Sequence, residues 1–357
     1  MEDRASFNEL VSVVIGTYNA AHVIGETIDS VLAQTYQPME IVVVDDGSTD
    51  GTWDVLQSYG DRISAHRQPN GGVAPARNTG LKHARGAYIA LMDHDDLCEP
   101  ERIATQVKLL QSFPDVVLCC SEFSAFNKEG WIADTYSAVY YSQCHPSNGG
   151  VKARYPNAGT LELGAGRVAG SDVADVADVA AVYYGPVYDE IVLGNFVHPP
   201  TVMFQRSLLG TIGTFDSAAR MMCDWDWLAR AARVGSFAFI DRPLLRYRRS
   251  DTQISSARHQ PKSSLDSLYV AQQIVVRDPL IYQRKALEFR QHLGIMCLDA
   301  ADANAEVNSL QAGRLLFESI ARYGTVQNQT YRTLLKIILP KSLLDWMRRL
   351  RQGRAVS

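Results

Sequence analysis

Short apolar runs alternate with amphipathic segments over the first third of the chain. Residues 11–15 form a β-branched run that stops at Gly16, and residues 21–35 then carry apolar side chains at helical spacing. The alternation continues through three further predicted strands, at residues 40–46, 63–68 and 87–96. Buried strands that alternate with helices predict an α/β fold with an open, mostly parallel central sheet flanked by helices.

Polar clusters follow three of these strands. They are "GTYN" at 16–19, "DDGSTD" at 45–50 and "DHDD" at 93–96. In open parallel sheets, ligands bind beyond the carboxyl ends of the strands. We therefore expect a functional site where these clusters meet.

The pattern changes after about residue 125. Residues 140–195 are rich in small and polar residues and contain "SDVADVADVA", a triplet repeat that is typical of either a helix or a biased loop. We interpret this stretch as an insertion near the substrate. Beyond it, the pattern predicts two short strands split by Pro243 and amphipathic helices over residues 260–325.

Composition narrows the class of protein. The chain has 357 residues, of which 46% are hydrophobic and 21% charged, which is globular composition. Its formal net charge of -4 gives no reason to expect a nucleic-acid partner. The six cysteines have no CxxC spacing, which favours reduced thiols in a cytoplasmic protein without a zinc site.

Export and membrane insertion are not expected. The N-terminus lacks the basic and apolar regions of a secretory signal, and no run of 18 apolar residues occurs. We therefore expect a cytoplasmic chain that is either soluble or peripheral on the inner face of the plasma membrane.

The acidic cluster after the fourth strand needs a positive charge nearby. Asp93, Asp95 and Asp96 lie within four positions, where like charges repel and a buried strand end removes solvation. A DxD pair at a strand end supplies hard oxygen ligands for Mg²⁺ or Mn²⁺, with substrate phosphates completing the coordination. The alternative is an acidic loop that caps the helix beginning near Pro100, since Asp is common at helix N-caps.

Two stretches carry a family resemblance. "VSVVIGTYNAAHVIGETIDSVLAQTYQPMEIVVVDDGSTDGT" and "NGGVAPARNTGLKHARGAYIALMDHDD" resemble the family 2 glycosyltransferases of the GT-A fold, over roughly residues 11–125. The resemblance implies a Rossmann-like sheet and a nucleotide-sugar donor. It divides the chain into a nucleotide-sugar-binding half (1–125), an acceptor-binding half with the insertion near 140–195 (126–258) and a helical C-terminal extension (259–357).

The resemblance assigns residues to the nucleoside. Thr17, Tyr18 and Asp46 would contact it, with Asp45 nearby. The chemistry agrees, because tyrosine stacks on a nucleobase and a carboxylate accepts a hydrogen bond from an imide or a ribose hydroxyl. The alternative for the two aspartates is an N-cap and turn around the glycine that follows them.

The resemblance also assigns the diphosphate and metal contacts. Arg77 follows a glycine-rich turn and would reach a phosphate or the base in fork geometry, although a surface helix arginine is the alternative. Asp95 would bind Mn²⁺ or Mg²⁺ directly, and Asp93 would contact the ribose or the metal. Gly16 stands where proline is common in the family, which affects loop stiffness rather than chemistry.

"CDWDWLARAARVG" resembles the family's acidic-aromatic helix start. The match makes Asp224 the catalytic base that takes the proton of the acceptor hydroxyl. Cys223 replaces the family's usual acid, and Asp226 is expected to point elsewhere on the helix. The alternative is that Asp224 only caps the helix.

"RPLLRYRRSDTQIS" is similar to the family's closing segment over the diphosphate. Candidates for stabilising the leaving group are therefore Arg246, Tyr247, Arg248 and Arg249, with Arg246 and Arg248 as the predicted contacts. A solvated strand edge is an equally good alternative. His198 is interpreted as structural rather than catalytic.

The last 27 residues, 331–357, contain seven Lys or Arg and one Asp among apolar residues. Such a tail is typical of contact with an anionic membrane surface, or of a packed terminal helix with a solvated basic face.

Taken together, the resemblance implies an inverting, metal-dependent glycosyltransferase acting on a glycan or lipid-linked acceptor in bacterial cell-surface polysaccharide biosynthesis. A nucleotidyltransferase would need a phosphate-clamping loop after the first strand, and "GTYNAAHVIGET" has neither a GxG nor a lysine. A degenerate subunit that binds the nucleotide-sugar without turnover is the other alternative, because Cys223 replaces an acid.

Overall fold

The structure, a computed structural model of the full chain, describes residues 9–141, 150–166, 176–250 and 260–354. These residues belong to two compact units, Met1–Asp251 and Thr252–Ser357. The first unit contains every described strand, and the second is helical.

The described residues form eleven strands. The strands are β1 Val11–Thr17, β2 Met39–Asp45, β3 Ser64–Arg67, β4 Tyr88–Asp93, β5 Leu97–Cys98, β6 Val116–Asn127, β7 Gly130–Ala133, β8 Asn157–Gly166, β9 Val176–Gly185, β10 Met203–Gln205 and β11 Ser236–Arg248.

The same residues form fourteen α-helices, several of which are single turns. The helices are α1 Ile24–Leu32, α2 Thr52–Ser58, α3 Val73–His83, α4 Arg102–Ser112, α5 Ser137–Tyr140, α6 Tyr188–Ile191, α7 Leu208–Ile212, α8 Cys223–Ala232, α9 Gln260–Arg277, α10 Pro279–Arg284, α11 Ala286–Asn304, α12 Ser309–Ala321, α13 Asn328–Ile338 and α14 Lys341–Arg354.

One sheet organises the first unit. Its strand order is β3-β2-β1-β4-β10-β6-β11-β9-β8, and β5 and β7 pair beside β11 and β6. The four strands predicted from the first third of the sequence pair in parallel, and β6 pairs in parallel with β11. The short β10 runs antiparallel between β4 and β6. The predicted α/β class with a mostly parallel central sheet is therefore confirmed.

Helix α3 packs on β1 at a glycine. A Cβ atom at Gly80 would lie 2.4 Å from Val14 Cγ1, which is closer than any carbon contact allows. Residues Val11–Ile15 are buried on both faces of the sheet, as a parallel strand requires. The glycine thus sets how closely α3 approaches the sheet.

The prediction of two strands split by Pro243 is wrong. Strand β11 runs unbroken from Ser236 to Arg248, and its register against β6 shifts on both sides of Pro243. Proline has no N–H to donate, so the ladder is irregular at this position without ending there. Before the proline the strand also pairs with β9, and after it with β5.

The insertion forms a β-hairpin. Strands β8 and β9 pair antiparallel from Asn157↔Tyr184 onward. Residues 176–180 of the triplet repeat lie in β9 rather than in a helix or loop, whereas residues 171–175 and 142–149 lie outside the described residues.

The second unit confirms the predicted helical extension. Helices α9 to α14 cover most of residues 260–354, and Leu298, Ala301 and Leu316 form a small buried apolar cluster between α11 and α12. Among the helices in the described ranges, none is long and apolar enough to span a bilayer. Residues 355–357 of the basic tail lie outside the described residues.

We expect Gly80→Ala to destabilise the first unit by about 1–3 kcal/mol, because the added methyl overlaps Val14 and forces α3 away from β1. Gly210→Ala is the matched control, since no atom lies within 4 Å of its added Cβ and α7 should gain helix stability. Urea unfolding followed by tryptophan fluorescence measures both. Equal midpoints for the two variants would contradict the close packing.

Candidate functional site

The carboxyl ends of the parallel strands bring the polar clusters together. In the sheet register, Thr17 lies beside Asp45 and Gly16 lies beside Asp93. Parallel pairing places the ends of β2, β1 and β4 along one edge of the sheet. The expected meeting of the three clusters is therefore observed.

The loops after β1 and β2 are tied to each other. Asn19 has a left-handed φ of 50°, its side-chain oxygen accepts the Thr49 N–H at 2.8 Å, and its own N–H donates to Ser48 Oγ at 2.9 Å. Tyr18, one residue earlier, is exposed. Its ring thus stands at the sheet edge on a loop that is fixed from both sides.

Asp45 and Asp46 are both buried and both hold loops. Asp45 accepts the Ser48 N–H at 3.0 Å, and Arg67 Nε lies 3.1 Å from its second oxygen in an ion pair. Asp46 accepts hydrogen bonds from Gly71 and Gly72 N–H at 2.9 and 2.7 Å. The nucleoside role of Thr17, Tyr18, Asp45 and Asp46 stays a prediction, to which the structure adds a loop-holding role for the two carboxylates.

Arg77 and Asp93 form an ion pair between α3 and β4. Arg77 is buried, and its Nη2 donates to Asp93 Oδ1 at 2.8 Å. Burial favours the neutral forms, but the mutual attraction outweighs it. The attraction between the two charges raises the pKa of Arg77 above its ordinary value and lowers the pKa of Asp93. Both side chains are therefore charged at neutral pH.

Arg248 lies against the acidic cluster. Its Nε donates to the Asp95 carbonyl at 2.7 Å, its Nη2 donates to Glu26 at 2.6 Å, and its backbone N–H donates to Asp96 Oδ1 at 2.9 Å. Burial, together with neighbouring Asp95 and Asp93, raises the pKa of Asp96 well above its ordinary value. Asp96 thus fastens β11 to the loop after β4.

Arg246 forms an ion pair with Glu99. Its Nε and Nη2 donate to the two Glu99 oxygens at 2.6 and 3.0 Å, and this hydrogen bonding raises the pKa of the Arg246 guanidinium. The side chain is exposed. Among the leaving-group candidates, Arg248 contacts the DxD segment through the Asp95 carbonyl.

Asp224 begins α8 with one oxygen bound and one unbound. Asn195 Nδ2 donates to Oδ2 at 3.3 Å, whereas Oδ1 is buried and has no hydrogen-bond partner within the described part of the chain. Burial raises the pKa of Asp224, and Arg77 opposes the shift. A buried carboxylate oxygen without a donor is a more basic atom than a solvated one.

The aromatic residues of α8 are core residues, and Asp226 points away from Asp224. Trp225 and Trp227 are buried and donate to the carbonyls of Ile191 and Gly213. Asp226 pairs with Arg230 one turn along the helix, at 2.8 Å.

His198 packs among aromatic rings. It stacks on Phe123 with the ring centroids 4.1 Å apart, and Tyr140 and Tyr247 approach edge-on. Burial lowers its pKa to about 3, so the ring is neutral at physiological pH. This packing agrees with the structural interpretation of His198.

Two residues of this region were not predicted from the sequence. Asn195 gave no signal, because an isolated asparagine in a loop is common. Arg102 is fully buried in α4, where it donates to the Leu91 carbonyl at 2.9 Å and contacts the sulfur atoms of Cys98 and Met92. Its position four residues before Gln106, which accepts from its Nε, is a helical pattern that also occurs on solvated surfaces.

The donor set at the end of β4 suits a metal that is shared with a substrate. In the described ranges, no group of three Asp, Glu, His or Cys side chains is placed to hold an ion. Asp93 and Asp95 are both partly exposed at the sheet edge. Mg²⁺ and Mn²⁺ are commonly bound by one or two carboxylates and completed by substrate phosphates, so the residues present fit such an ion.

Comparison with known proteins places the chain in a family. Residues 12–157 match the family described as Glycosyl transferase family 2. An uncharacterized glycosyltransferase of Rickettsia prowazekii is 42% identical over 244 residues, which cover 68% of this chain and 64% of the relative. The UDP-Glc:alpha-D-GlcNAc-diphosphoundecaprenol beta-1,3-glucosyltransferase of Escherichia coli is 41% identical over 106 residues, covering 29% of this chain and 42% of that protein. The chain thus spans less than two thirds of either relative.

A solved structure shares the fold. The mannosyltransferase of Pyrobaculum calidifontis, in complex with GDP-Man and Mn²⁺, aligns with 93% of this chain and 85% of its own, at a TM-score of 0.52 and 19% identity. This alignment shows that the two proteins share their architecture. Residues 12–157 therefore form a domain of glycosyl transferase family 2, on a GT-A type fold.

Proposed function

We propose that the chain is a metal-dependent, inverting glycosyltransferase that moves a sugar from a nucleotide-diphosphate sugar to a hydroxyl of a glycan or lipid-linked acceptor. The carrying observation is that Arg77 pairs with Asp93 and also lies within electrostatic reach of Asp224. The predicted donor-side acid and the predicted base thus face one cation. That arrangement supports a donor and an acceptor meeting at the end of β4.

On the donor side, Thr17, Tyr18, Asp45 and Asp46 would surround the nucleoside. Tyr18 is exposed and ready to stack, and the buried aspartates shape the two loops below it. The relatives support the donor class: the mannosyltransferase was solved with GDP-Man, and the E. coli enzyme is named for UDP-Glc. We leave the nucleotide and the sugar of this chain to experiment.

Asp95 and Asp93 would hold the divalent ion, Mn²⁺ or Mg²⁺, together with diphosphate oxygens. When bound, such an ion neutralises charge that develops on the departing diphosphate. Arg248, which already contacts the Asp95 carbonyl, and Arg246 nearby would add positive charge on the same side. Arg246 would first have to leave its pair with Glu99.

Asp224 would act as the general base through Oδ1. The acceptor oxygen attacks the anomeric carbon, the bond from that carbon to the diphosphate oxygen breaks, and the acceptor proton passes to Asp224. Attack opposite the leaving group inverts the anomeric centre. The raised pKa of Asp224 strengthens the base while Arg77 keeps it from being protonated too readily.

One relative supports the proposed acceptor class. The E. coli relative is named for an acceptor on diphosphoundecaprenol, which supports a lipid-linked acceptor and a role in bacterial cell-surface polysaccharide biosynthesis. We accordingly propose that the chain works at the inner face of the plasma membrane and contacts it through residues 331–357. The rival, a donor-binding subunit without turnover, rests on Cys223 in place of the family's acid.

The donor site can be tested by ligand stabilisation. With UDP, GDP, dTDP and CDP in turn, we expect one nucleotide to raise the melting temperature only when Mn²⁺ is present, because a ligand that binds the native state stabilises it by mass action. Asp95→Ala should abolish the shift, and Asp61→Ala, an exposed aspartate remote from the cluster in sequence, should keep it. The absence of a shift with every nucleotide would argue that the acidic cluster is structural.

Asp224→Asn should lower the transfer rate by about 10²–10⁴-fold while donor binding is retained, because the variant keeps the shape of the side chain but cannot accept a proton. Radiolabelled sugar transfer to a crude lipid-linked glycan extract measures the rate, and the nucleotide melting shift measures binding. Wild-type chain that binds the donor yet neither transfers nor hydrolyses it would favour the subunit without turnover.

Asn195→Ala should move the acid limb of the kcat/KM profile to higher pH. Asn195 donates to the carboxylate and so favours its charged form; without that donor the already raised pKa of Asp224 rises further, and activity is lost at a higher pH on acidification. The pH profile separates this positioning role from simple loss of packing. A variant with reduced activity but an unchanged acid limb would rule out the role.

A further inference from the structure

Helix α13 is packed with its polar side inward. Thr333 is fully buried and its hydroxyl donates to Asp302 at 2.7 Å, while Lys336 Nζ donates to both Asp302 oxygens at 2.8 and 2.7 Å. Thr330, one turn earlier, is also buried. These contacts attach α13 to α11 through hydrogen bonds and a salt bridge.

The apolar residues of α13 consequently face outward. Their spacing is helical, and α14, the next helix of the same unit, also exposes large apolar side chains. We call this surface the outer apolar face; it consists of Tyr331, Leu334, Leu335, Ile338, Leu343 and Trp346, which are 40 to 64% exposed. A contiguous exposed patch of large apolar side chains is costly in water and marks a binding surface. The inward polar side shows that the orientation is fixed by specific partners of α11.

Positive charge is concentrated on the same two helices, α13 and α14. Arg332, Lys341 and Arg349 are exposed on the same two helices. Residues 328–354 contain seven Lys or Arg and one Asp, a formal charge of +6, whereas the whole chain has -4. The remaining residues of the chain therefore carry a formal charge of -10. Basic residues are concentrated beside the outer apolar face and not spread over the protein.

We propose that the outer apolar face lies in the headgroup region of an anionic lipid bilayer, with the flanking arginines and lysines on lipid phosphates. Helices with an apolar side, interfacial Trp or Tyr and basic neighbours bind such surfaces through apolar burial and charge together. A second copy of the chain fits less well, because symmetric pairing would bring two sets of positive charges together. The inference deepens the membrane contact proposed above for residues 331–357, on which it rests, and does not depend on sugar transfer.

Flotation of the full chain with vesicles provides the test. We expect co-flotation with phosphatidylcholine vesicles that contain about 30% phosphatidylglycerol, weak flotation with phosphatidylcholine alone, and release as NaCl rises from about 0.1 M to about 0.5 M, since salt screens the charge attraction.

Serine substitutions then test the face itself. The triple variant Leu334→Ser, Leu335→Ser, Ile338→Ser should lower partitioning about tenfold or more, because it removes apolar area from the bilayer contact. The matched control is Leu280→Ser, Leu287→Ser, Leu310→Ser, three leucines of the same unit that are 67 to 74% exposed on other helices. The control should float like the wild type. Circular dichroism verifies that both variants keep their helices.

A charge series isolates the electrostatic part. The triple variant Arg332→Gln, Lys341→Gln, Arg349→Gln should bind anionic and neutral vesicles equally, and Lys262→Gln, Arg284→Gln, Arg314→Gln should keep the preference for anionic vesicles. Failure of the wild type to float at low salt would overturn the proposal, as would equal flotation of the wild type and the Leu334, Leu335, Ile338 variant. Wild-type dimers that the serine variant dissociates, without flotation of either, would instead make the face an interface between copies. The nucleotide melting shift is read in parallel, so failure of the donor site is recognised separately.

Discussion

Three carboxylates at the end of one buried strand need nearby positive charge, and the site depends on this constraint. Arg77 reaches Asp93 from α3, and Arg248 reaches the Asp95 and Asp96 segment from β11. Beneath them, Arg102 adds a buried cation whose described contacts include a carbonyl and two sulfur atoms. Asp96 escapes the repulsion in another way, since its raised pKa favours the neutral form. These contacts tie α3 and β11 to the segment at the end of β4.

Within the same site, two nearby carboxylates have pKa values that shift in opposite directions. Asp93, paired with Arg77, has a lowered pKa, whereas Asp224, buried with one unbound oxygen, has a raised pKa. Groups with opposite shifts in one site commonly divide acid, base and electrostatic roles between them. Arg77 influences both and therefore couples the ionisation of Asp93 to that of Asp224.

Strands β1, β2 and β4 and the polar clusters after them could be predicted because each of these strands contains a continuous apolar run and each cluster follows one directly. The unbroken β11 could not, since its continuity through Pro243 depends on pairing with β9 and β5, far away in sequence. The hairpin β8–β9 was hidden by a repeat with helical and loop alternatives. Asn195 and Arg102 were missed because their importance lies in their burial and partners, which residue type alone does not reveal. The family resemblance implied a role for each predicted site residue, and the structure shows which atoms these residues contact.

The hairpin β8–β9 lies at the margin of the sheet, where β8 pairs only with β9 in the described strands. The strands that carry Asp45 and Asp93 are at the other end of the strand order. A lineage that lengthens, shortens or exchanges this hairpin therefore leaves the pairing of those strands intact. The hairpin can therefore vary in length and sequence between related chains at little cost to the part of the sheet that positions the acidic clusters.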